Sequence, residues 1–276
     1  MEKGILYIVG TPIGNLGDFS PRGVETLRQV DFIAAEDTRV TLKLLNHFGI
    51  KKPMISYFEH NRNDHGRVIL DRILAGETCA LVSDAGMPAV SDPGEQLAAA
   101  CAQAGVKVTV VPGPTAAVSA LVLSGLPTGR FTFEGFLSVN KRARREHLLG
   151  VQHEPRTMIF YEAPHKLRKT LADFAETFGG ERKIAIVREL TKLHEEAWHT
   201  TLAEAAAFYR EREPKGEFVL VVAGAEPEPA EEEYTLEEAA RLAKGSMEKG
   251  FSAAEAAKEA AKITGFKKGD IYRLLM

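Results

Sequence analysis

Short apolar runs recur along this chain at a spacing that leaves few architectures open. They occupy residues 4–9, 31–35, 54–57, 79–82 and 107–111, and between them lie stretches with apolar residues at helical intervals, 21–30, 40–48, 65–75 and 95–104. A run this short, bounded by turn signals, reads as a buried strand. Strands alternating with helices in this way argue for a largely parallel sheet covered by helices on both faces. The punctuation agrees. Ser20 stands before Pro21, an N-cap followed by a first helical position. Gly49, Gly76 and Gly105 each close a helix.

In such a sheet, ligands gather at the loops that leave the C-terminal ends of strands. The loop after residues 79–82 is the richest of these. It holds two similar tetrads, Ser83-Asp84-Ala85-Gly86 and Ser91-Asp92-Pro93-Gly94, separated by Met87-Pro88-Ala89-Val90. Its glycines and prolines force tight turns and bring bare backbone to the surface. Asp92 can cap the next helix, with Pro93 at its first position. An ordinary strand-to-helix connection needs none of this repetition, so the loop is a candidate ligand site.

Three other strand ends carry unusual chemistry. Residues 10–18 form a Gly-rich turn after the first strand, and Glu36-Asp37 ends the second. This imitates a dinucleotide fold, but Gly10, Gly14 and Gly17 miss the G-x-G-x-x-G spacing, and no Lys-Ser/Thr ending marks a phosphate loop. Glu36-Asp37-Thr38-Arg39 satisfies two rules at once. It can be an acidic helix start near the dipole's positive end, or a carboxylate oriented by Arg39 to accept a proton. Pro112-Gly113-Pro114-Thr115 opens an Ala/Ser/Leu helix running to residue 124. The turn at 59–63 could orient a substrate by hydrogen bonds or be an ordinary polar turn, and the stretch at 188–196 mixes charges at the end of a strand, where a lone histidine is more often structural than catalytic. No Ser/His/Asp signature, H-E-x-x-H motif or cysteine cluster is present, which argues against hydrolytic and zinc chemistry.

After a linker, Gly125-Leu126-Pro127-Thr128-Gly129, the pattern restarts. Strands are expected at 131–136, 157–161, 183–190 and 218–223, and residues 195–201 alternate like an antiparallel partner. We therefore expect an α/β chain with a parallel-sheet domain at 1–125, a second, mixed-sheet domain at 126–225, and a hinge and helical tail at 226–276. The hinge is the Glu/Pro-rich run 226–233. Thr235 with Glu238 and Ser252 with Glu255 match capping boxes for two or three short helices. Their helix-turn-helix outline and the basic residues Lys262, Lys267, Lys268 and Arg273 make nucleic-acid contact one reading of the tail.

A net charge of -3 gives no global nucleic-acid signature, so any basic surface is local. The local candidate is Lys141, Arg142, Arg144 and Arg145, suited to phosphate contact. Cys79 and Cys101 sit in apolar contexts and read as reduced core residues of a cytoplasmic protein. No signal-peptide pattern or membrane-spanning run is expected, nor a metal site.

Seven segments, taken in order, are more specific: LYIVGTPIGNLGD, AAEDTR, VSDAGMPAVSDPG, VVPGPTAAVSAL, FYEAPHKL, RELTKLHEE and KGEFVLVV. Over residues 3–224 the chain closely resembles the bacterial small-subunit ribosomal RNA 2'-O-ribose cytidine methyltransferases. These belong to the tetrapyrrole-methylase-like (class III) S-adenosyl-L-methionine (SAM) methyltransferases. The resemblance implies that two-domain fold, SAM held between the domains, a homodimer, and methylation of a cytidine ribose in the decoding region of 16S rRNA. It also implies SAM contacts at Pro12, Ile13, Gly86, Met87, Val90, Thr115, Ala116, Tyr161, Leu190 and Phe218. Relatives acting on tetrapyrroles usually have a more glycine-rich first loop than Thr11-Pro12-Ile13-Gly14-Asn15, which favours the RNA branch.

For ribose methylation, the 2'-oxygen would attack the SAM methyl carbon in line. The sulfonium already carries the activation, so the protein must supply alignment and a proton acceptor. Asp37 or Glu36 is the expected acceptor, oriented by Arg39, with Lys192 as a second candidate. The basic cluster would grip rRNA phosphates. Two rival readings are a methyltransferase for a tetrapyrrole or other small molecule, and a non-catalytic RNA-binding assembly factor.

Overall fold

All five apolar runs of the first half become strands in the computed structural model, which describes residues 3–92, 94–226 and 234–276. They are β1 (Ile5–Val9), β2 (Phe32–Ala35), β3 (Met54–Ser56), β4 (Cys79–Val82) and β5 (Lys107–Val111). They pair in the order β3-β2-β4-β1-β5, and every pairing is parallel. The helices between them are α1 (Pro21–Gln29), α2 (Thr38–His47), α3 (Arg62–Leu74) and α4 (Gly94–Gln103).

Period-two alternation sorts the strand side chains onto two faces. Ile33, Ala35, Ala80 and Val82 join Val24 and Leu27 of α1 and Leu45 of α2 in one core. Their neighbours Phe32, Ala34, Cys79 and Leu81 join Ile69 and Ile73 of α3 and Leu97 and Cys101 of α4 in another. Both cysteines are buried and free. Local chemistry starts α1 where expected, whereas α2 and α3 begin two and three residues before the expected 40 and 65. Ser20 Oγ accepts the Gly23 N–H at 3.0 Å, with Pro21 at the first helical position.

A second sheet follows helix α5 (Ala116–Leu123). Its strands are β6 (Phe131–Phe136), β7 (Thr157–Glu162), β8 (Lys183–Arg188), β9 (Glu196–Thr201) and β10 (Phe218–Val222), in the order β6-β7-β10-β8-β9. β6 runs parallel to β7, and the other pairings are antiparallel. One face is covered by α6 (Lys141–Gly150), α7 (Pro164–Phe178) and α8 (Leu202–Glu211) through a core that includes Phe160, Phe174, Leu148 and Leu202. The other face takes Ala117, Ala120 and Leu121 of α5 together with Ile13 from the loop after β1. This buried apolar contact draws the first loop onto the second sheet.

The expected strand at 183–190 ends earlier, at Arg188, because Glu189 takes a positive φ of 52° that a strand cannot continue. Residues 1–225 form one compact unit and 226–276 another. Within the second unit, α9 (Leu236–Glu248), α10 (Ala253–Thr264) and α11 (Lys268–Arg273) pack around Ala239, Ala243, Ala256, Ala257, Ala260 and Ile271. Both capping boxes form, Thr235 with Glu238 and Ser252 with Glu255. The hinge at 227–233 and the Pro93 helix start lie outside the described residues.

Candidate active site

The loops at the C-terminal edge of the first sheet are held together by backbone. The Thr11 N–H donates to the Gly86 carbonyl at 2.9 Å, and the Gly86 N–H donates back to the Thr11 carbonyl at 3.2 Å. Buried Thr11 adds a hydroxyl bond to the Ser83 carbonyl at 3.3 Å. The loops after β1 and β5 touch at Gly10 and Gly113. A Cβ on Gly113 would lie 2.7 Å from the Gly10 carbonyl carbon, and a Cβ on Gly10 would lie 2.6 Å from Met87 Sδ. That sulfur accepts the Gly113 N–H at 3.3 Å. Three of the expected ligand loops, those after β1, β4 and β5, are thus one backbone-lined surface.

The second sheet closes on this surface. A Cβ on Gly14 would meet Lys192 Cγ at 2.6 Å and Thr191 Oγ1 at 2.9 Å. Thr191 Oγ1 is buried and has no hydrogen-bond partner among the described residues. Ile13, Ala116, Tyr161 and Leu190 pack in one cluster. The Tyr161 hydroxyl accepts the Ala117 N–H at 3.0 Å, and its ring meets Phe133 and Phe136 edge-on at 5.1 and 5.4 Å. Thr115 caps α5. Pro12 is half-buried beside Ile13, and Val90 is half-exposed at the tip of the loop after β4. All ten expected SAM-contact positions lie on converging loops or strand ends, but one side chain turns away. The exception is Phe218, whose side chain is buried on the opposite face of the sheet, 5.9 Å ring to ring from Tyr209. Alternation along β10 turns Val219, not Phe218, toward α5.

The carboxylates at the ends of β2 and β4 are linked reciprocally. The Asp37 N–H donates to Asp84 Oδ1 at 3.0 Å, and the Asp84 N–H donates to Glu36 Oε2 at 3.3 Å. Their environments push them apart. Burial raises Glu36 above the ordinary glutamate value, and nearby Asp84, Asp92 and Asp37 add to the shift. Asp37 is held down at about 2 by hydrogen bonds from the Arg39 side chain and backbone. That guanidinium grips both Asp37 oxygens, at 2.6 Å from Nη2 and 3.0 Å from Nε, and Asp37 also caps α2. Burial raises Asp84 and Asp92 as well. Asp92 Oδ1 accepts the Ala89 and Gly94 N–H groups at 2.8 and 2.7 Å, the capping role read from the sequence.

Lys192 reaches Glu189 at 3.0 Å and Glu217 at 3.1 Å. Burial works against its charge, but the hydrogen bonds to both carboxylates outweigh that and raise its pKa above the ordinary lysine value. Lys192 is therefore held as an ammonium. Glu217 escaped sequence reading, and Glu189 and Thr191 were visible only as members of the charged stretch at 188–196, because their roles depend on a left-handed turn and a cross-strand contact. Asp84 was visible in the first Ser-Asp tetrad.

The basic cluster divides. Lys141, Arg142 and Arg145 are exposed on the first turns of α6. Arg144 is not a surface cation. It turns inward at 6 % exposure, with Nε 2.6 Å from Asp173 and Nη2 2.7 Å from Thr170, because the helical period points every fourth residue, here with Leu148, at the core.

A doubly wound parallel sheet joined to a mixed sheet, with glycine-lined loops between them, defines a class. The chain belongs to the tetrapyrrole (corrin/porphyrin) methylase family, whose model matches residues 5–206. It is 50 % identical, over 98 % of this chain and 97 % of the relative, to the ribosomal RNA small subunit methyltransferase I of Synechocystis. To the protein of the same name from Xylella fastidiosa it is 46 % identical, over 98 % of each chain. The crystal structure of uroporphyrin-III C-methyltransferase from Thermus thermophilus complexed with S-adenosylhomocysteine has the same fold. That likeness has a TM-score of 0.53 and 19 % identity, and covers 79 % of this chain and 96 % of that one.

Proposed function

We infer that this protein is a SAM-dependent methyltransferase of small-subunit ribosomal RNA, and that the methyl goes to the 2'-oxygen of a cytidine ribose in the decoding region of 16S rRNA. The observation that carries the chemistry is the split between two adjacent carboxylates: the Arg39 guanidinium grips both Asp37 oxygens, while partly buried Glu36 accepts the Asp84 N–H and faces the neighbouring cavity. The full-length match to small-subunit rRNA methyltransferases supports the substrate class.

The residues on the cleft fit SAM. Gly10 and Gly113 let the loops after β1 and β5 meet backbone to backbone, which sets the floor of the cleft where a nucleoside would lie. Ile13, Met87, Ala116 and Leu190 offer apolar contact, and Thr191 Oγ1 offers a buried hydroxyl without a partner. When bound, SAM supplies a methyl on an activated sulfonium.

The chain must orient the ribose and take its hydroxyl proton. A ribose hydroxyl is a poor acid, so the acceptor should be a carboxylate whose basicity is raised. Glu36 meets that requirement. Asp37, paired with Arg39, is a weak base and acts as a positioning residue through Asp84. Lys192, as an ammonium, orients Glu189 and Glu217 at the opposite lip. Lys141, Arg142 and Arg145 hold rRNA phosphates. The same reading takes the protein to be cytoplasmic and a homodimer. Val118 and Val122 of α5, 49 % and 70 % exposed, are apolar surface that a second copy would cover.

The test uses methyl-labelled SAM with small subunits from cells lacking their own enzyme, and free 16S rRNA alongside. Label in an alkali-resistant dinucleotide at a decoding-region cytidine is the expected result, since a 2'-O-methyl blocks strand cleavage. SAM binding with no label in either RNA would refute the rRNA reading.

A further inference from the structure

Beside Glu36 lies an open cavity of ~530 Å3 that none of the proposed SAM contacts line. Its walls come from two stiff turns. One is the turn after β3, carrying Phe58, Glu59 and His60. There Asn61 Oδ1 accepts the Phe58 N–H at 2.8 Å and Asn61 Nδ2 donates to the Ser56 carbonyl at 3.1 Å. The other is the end of the loop after β4, carrying Ser91 and Asp92 and leading into Glu95 of α4, pinned by the two Asp92 hydrogen bonds already described. Two pinned turns hold a preformed cavity rather than a gap between mobile loops.

The lining selects what can enter. An anionic phosphate would meet four carboxylates, Glu36, Glu59, Asp92 and Glu95, and be repelled. A metal ion is not the natural occupant either, because no metal-binding cluster forms among the described residues. Phe58 and His60 offer aromatic surface, with ring centroids 6.2 Å apart at 81°. A flat neutral ring that stacks there and donates hydrogen bonds to carboxylates satisfies all of these features. Cytosine presents an exocyclic amine donor. Uracil presents a carbonyl acceptor at the same position, which a carboxylate repels.

The carboxylates are not equally available. Glu59 is paired with Arg62 at 2.5 Å, and Glu36 accepts the Asp84 N–H. Glu95 has no hydrogen bond or ion pair among the described residues and stands in the first turn of α4. It is the acceptor most open to a new donor.

We propose that this cavity receives the base of the nucleotide being methylated, that Phe58 stacks on it with His60 at its edge, and that Glu95 accepts its exocyclic amine and so selects cytosine over uracil. The inference rests on the rRNA reading above and names a specificity residue for it. With the base here, the attached ribose lies toward Glu36, which lines the same cavity.

The experiment compares initial methylation rates on small subunits carrying cytidine or uridine at the target position, for the full-length wild type, Glu95→Gln and Phe58→Ala. Wild type should prefer cytidine by about tenfold or more, the discrimination that one well-placed base contact provides. Glu95→Gln presents an amide donor as well as an acceptor. It should bring the ratio to within about threefold of unity by that same logic, with SAM affinity and melting temperature unchanged. Phe58→Ala should raise KM several-fold for both substrates and leave their ratio alone, because stacking tolerates any base. A Glu95→Gln enzyme that keeps the wild-type ratio overturns the pocket assignment while leaving the rRNA reading intact. A wild type that binds SAM but labels neither substrate overturns that reading, and the pocket assignment with it.

Discussion

Replacing Gly113 with alanine tests whether the loops after β1 and β5 form one rigid backbone surface. The new Cβ would stand 2.7 Å from the Gly10 carbonyl carbon and 2.8 Å from its Cα and oxygen. Contacts that close do not occur for real Cβ atoms, and every atom met is backbone, so no rotamer change relieves them. One loop must move. Forcing an extra methyl into a packed site costs about 1–3 kcal/mol, and ~2 kcal/mol is the central expectation. For a folded unit of this size that is about 4–8 °C in melting temperature. The shift would also break the Gly113 N–H to Met87 Sδ contact at 3.3 Å and displace the loop proposed to hold SAM. SAM affinity should fall by about tenfold, equivalent to ~1.4 kcal/mol. Gly129→Ala is the control, because nothing lies within 4 Å of its added Cβ and its φ is not positive. It should stay within about 0.5 kcal/mol of wild type. Thermal melts and calorimetric SAM titrations read both quantities. If Gly113→Ala melts with wild type and binds SAM equally well, the loops are not locked as described.

Glu36→Gln should lower single-turnover methylation by about 10²–10⁴-fold, the range for loss of a general base. It should not lower the melting temperature at pH 7, since a carboxyl whose folded pKa is raised opposes folding once ionised. In the wild type, kcat/KM should fall on the acid side as pH drops through the raised Glu36 pKa, a limb that follows Glu36 and not Asp37. Asp37 has the opposite sign. Its pKa is lowered from 3.8 to about 2 in the folded chain, so the stability it contributes is present above pH 3.8 and is lost as pH falls toward 2. Acid melts of Asp37→Asn should lack that part of the pH dependence. Replacing both Lys141 and Arg145 with alanine should flatten the slope of log affinity for rRNA against log salt by about 1–2. Arg144→Ala should leave that slope alone. It should instead destabilise the chain by about 1.5–3 kcal/mol, read by denaturant melts, because it removes charge-assisted hydrogen bonds to Asp173 and Thr170, leaving Asp173 paired with Lys169 alone.

Much of the fold was legible because burial imposes a period. In β4, Cys79 and Leu81 face one core while Ala80 and Val82 face the other, and a strand covered on both sides must be apolar at every position. Residues 107–111 and 131–136 matched their strands end for end. Capping chemistry is equally local, so Ser20, Thr235 and Ser252 were placed from sequence alone. What remained hidden depends on contacts distant in sequence. Arg144 looks the same as Arg142 and Arg145 in a run of cations, and only its partners Asp173 and Thr170, 29 and 26 residues on, take it inward. Phe218 sits among apolar residues that say nothing of which face each one meets until the register of β10 is known. Glu36 and Asp37 were left open as proton acceptors for a similar reason. Arg39 singles out Asp37 by geometry, and burial singles out Glu36.

Backbone strain marks the same cleft independently of any side-chain chemistry. Among the described residues the non-glycine positions with positive φ are Ala89 (68°), Ser91 (64°), Glu189 (52°) and Thr191 (65°). Two lie in the loop after β4 and two in the loop after β8, on opposite sides of the proposed SAM site. Each such residue costs about 1–2 kcal/mol relative to an ordinary conformation. Nothing in sheet formation requires them, and glycine would remove most of the cost. Three of the four are held instead by dedicated partners. Asp92 accepts the Ala89 N–H at 2.8 Å, Glu195 accepts the Thr191 N–H at 2.6 Å, and the Glu189 N–H donates to the Glu217 carbonyl at 3.0 Å. Glu195 sits in the same loop as Lys192, Glu217 lies against that loop, and Asp92 stands in the wall of the cavity beside Glu36. Strain kept in place by charged side chains on both lips is what preorganisation for a ligand requires, because a relaxed loop would have to be ordered again each time a ligand bound.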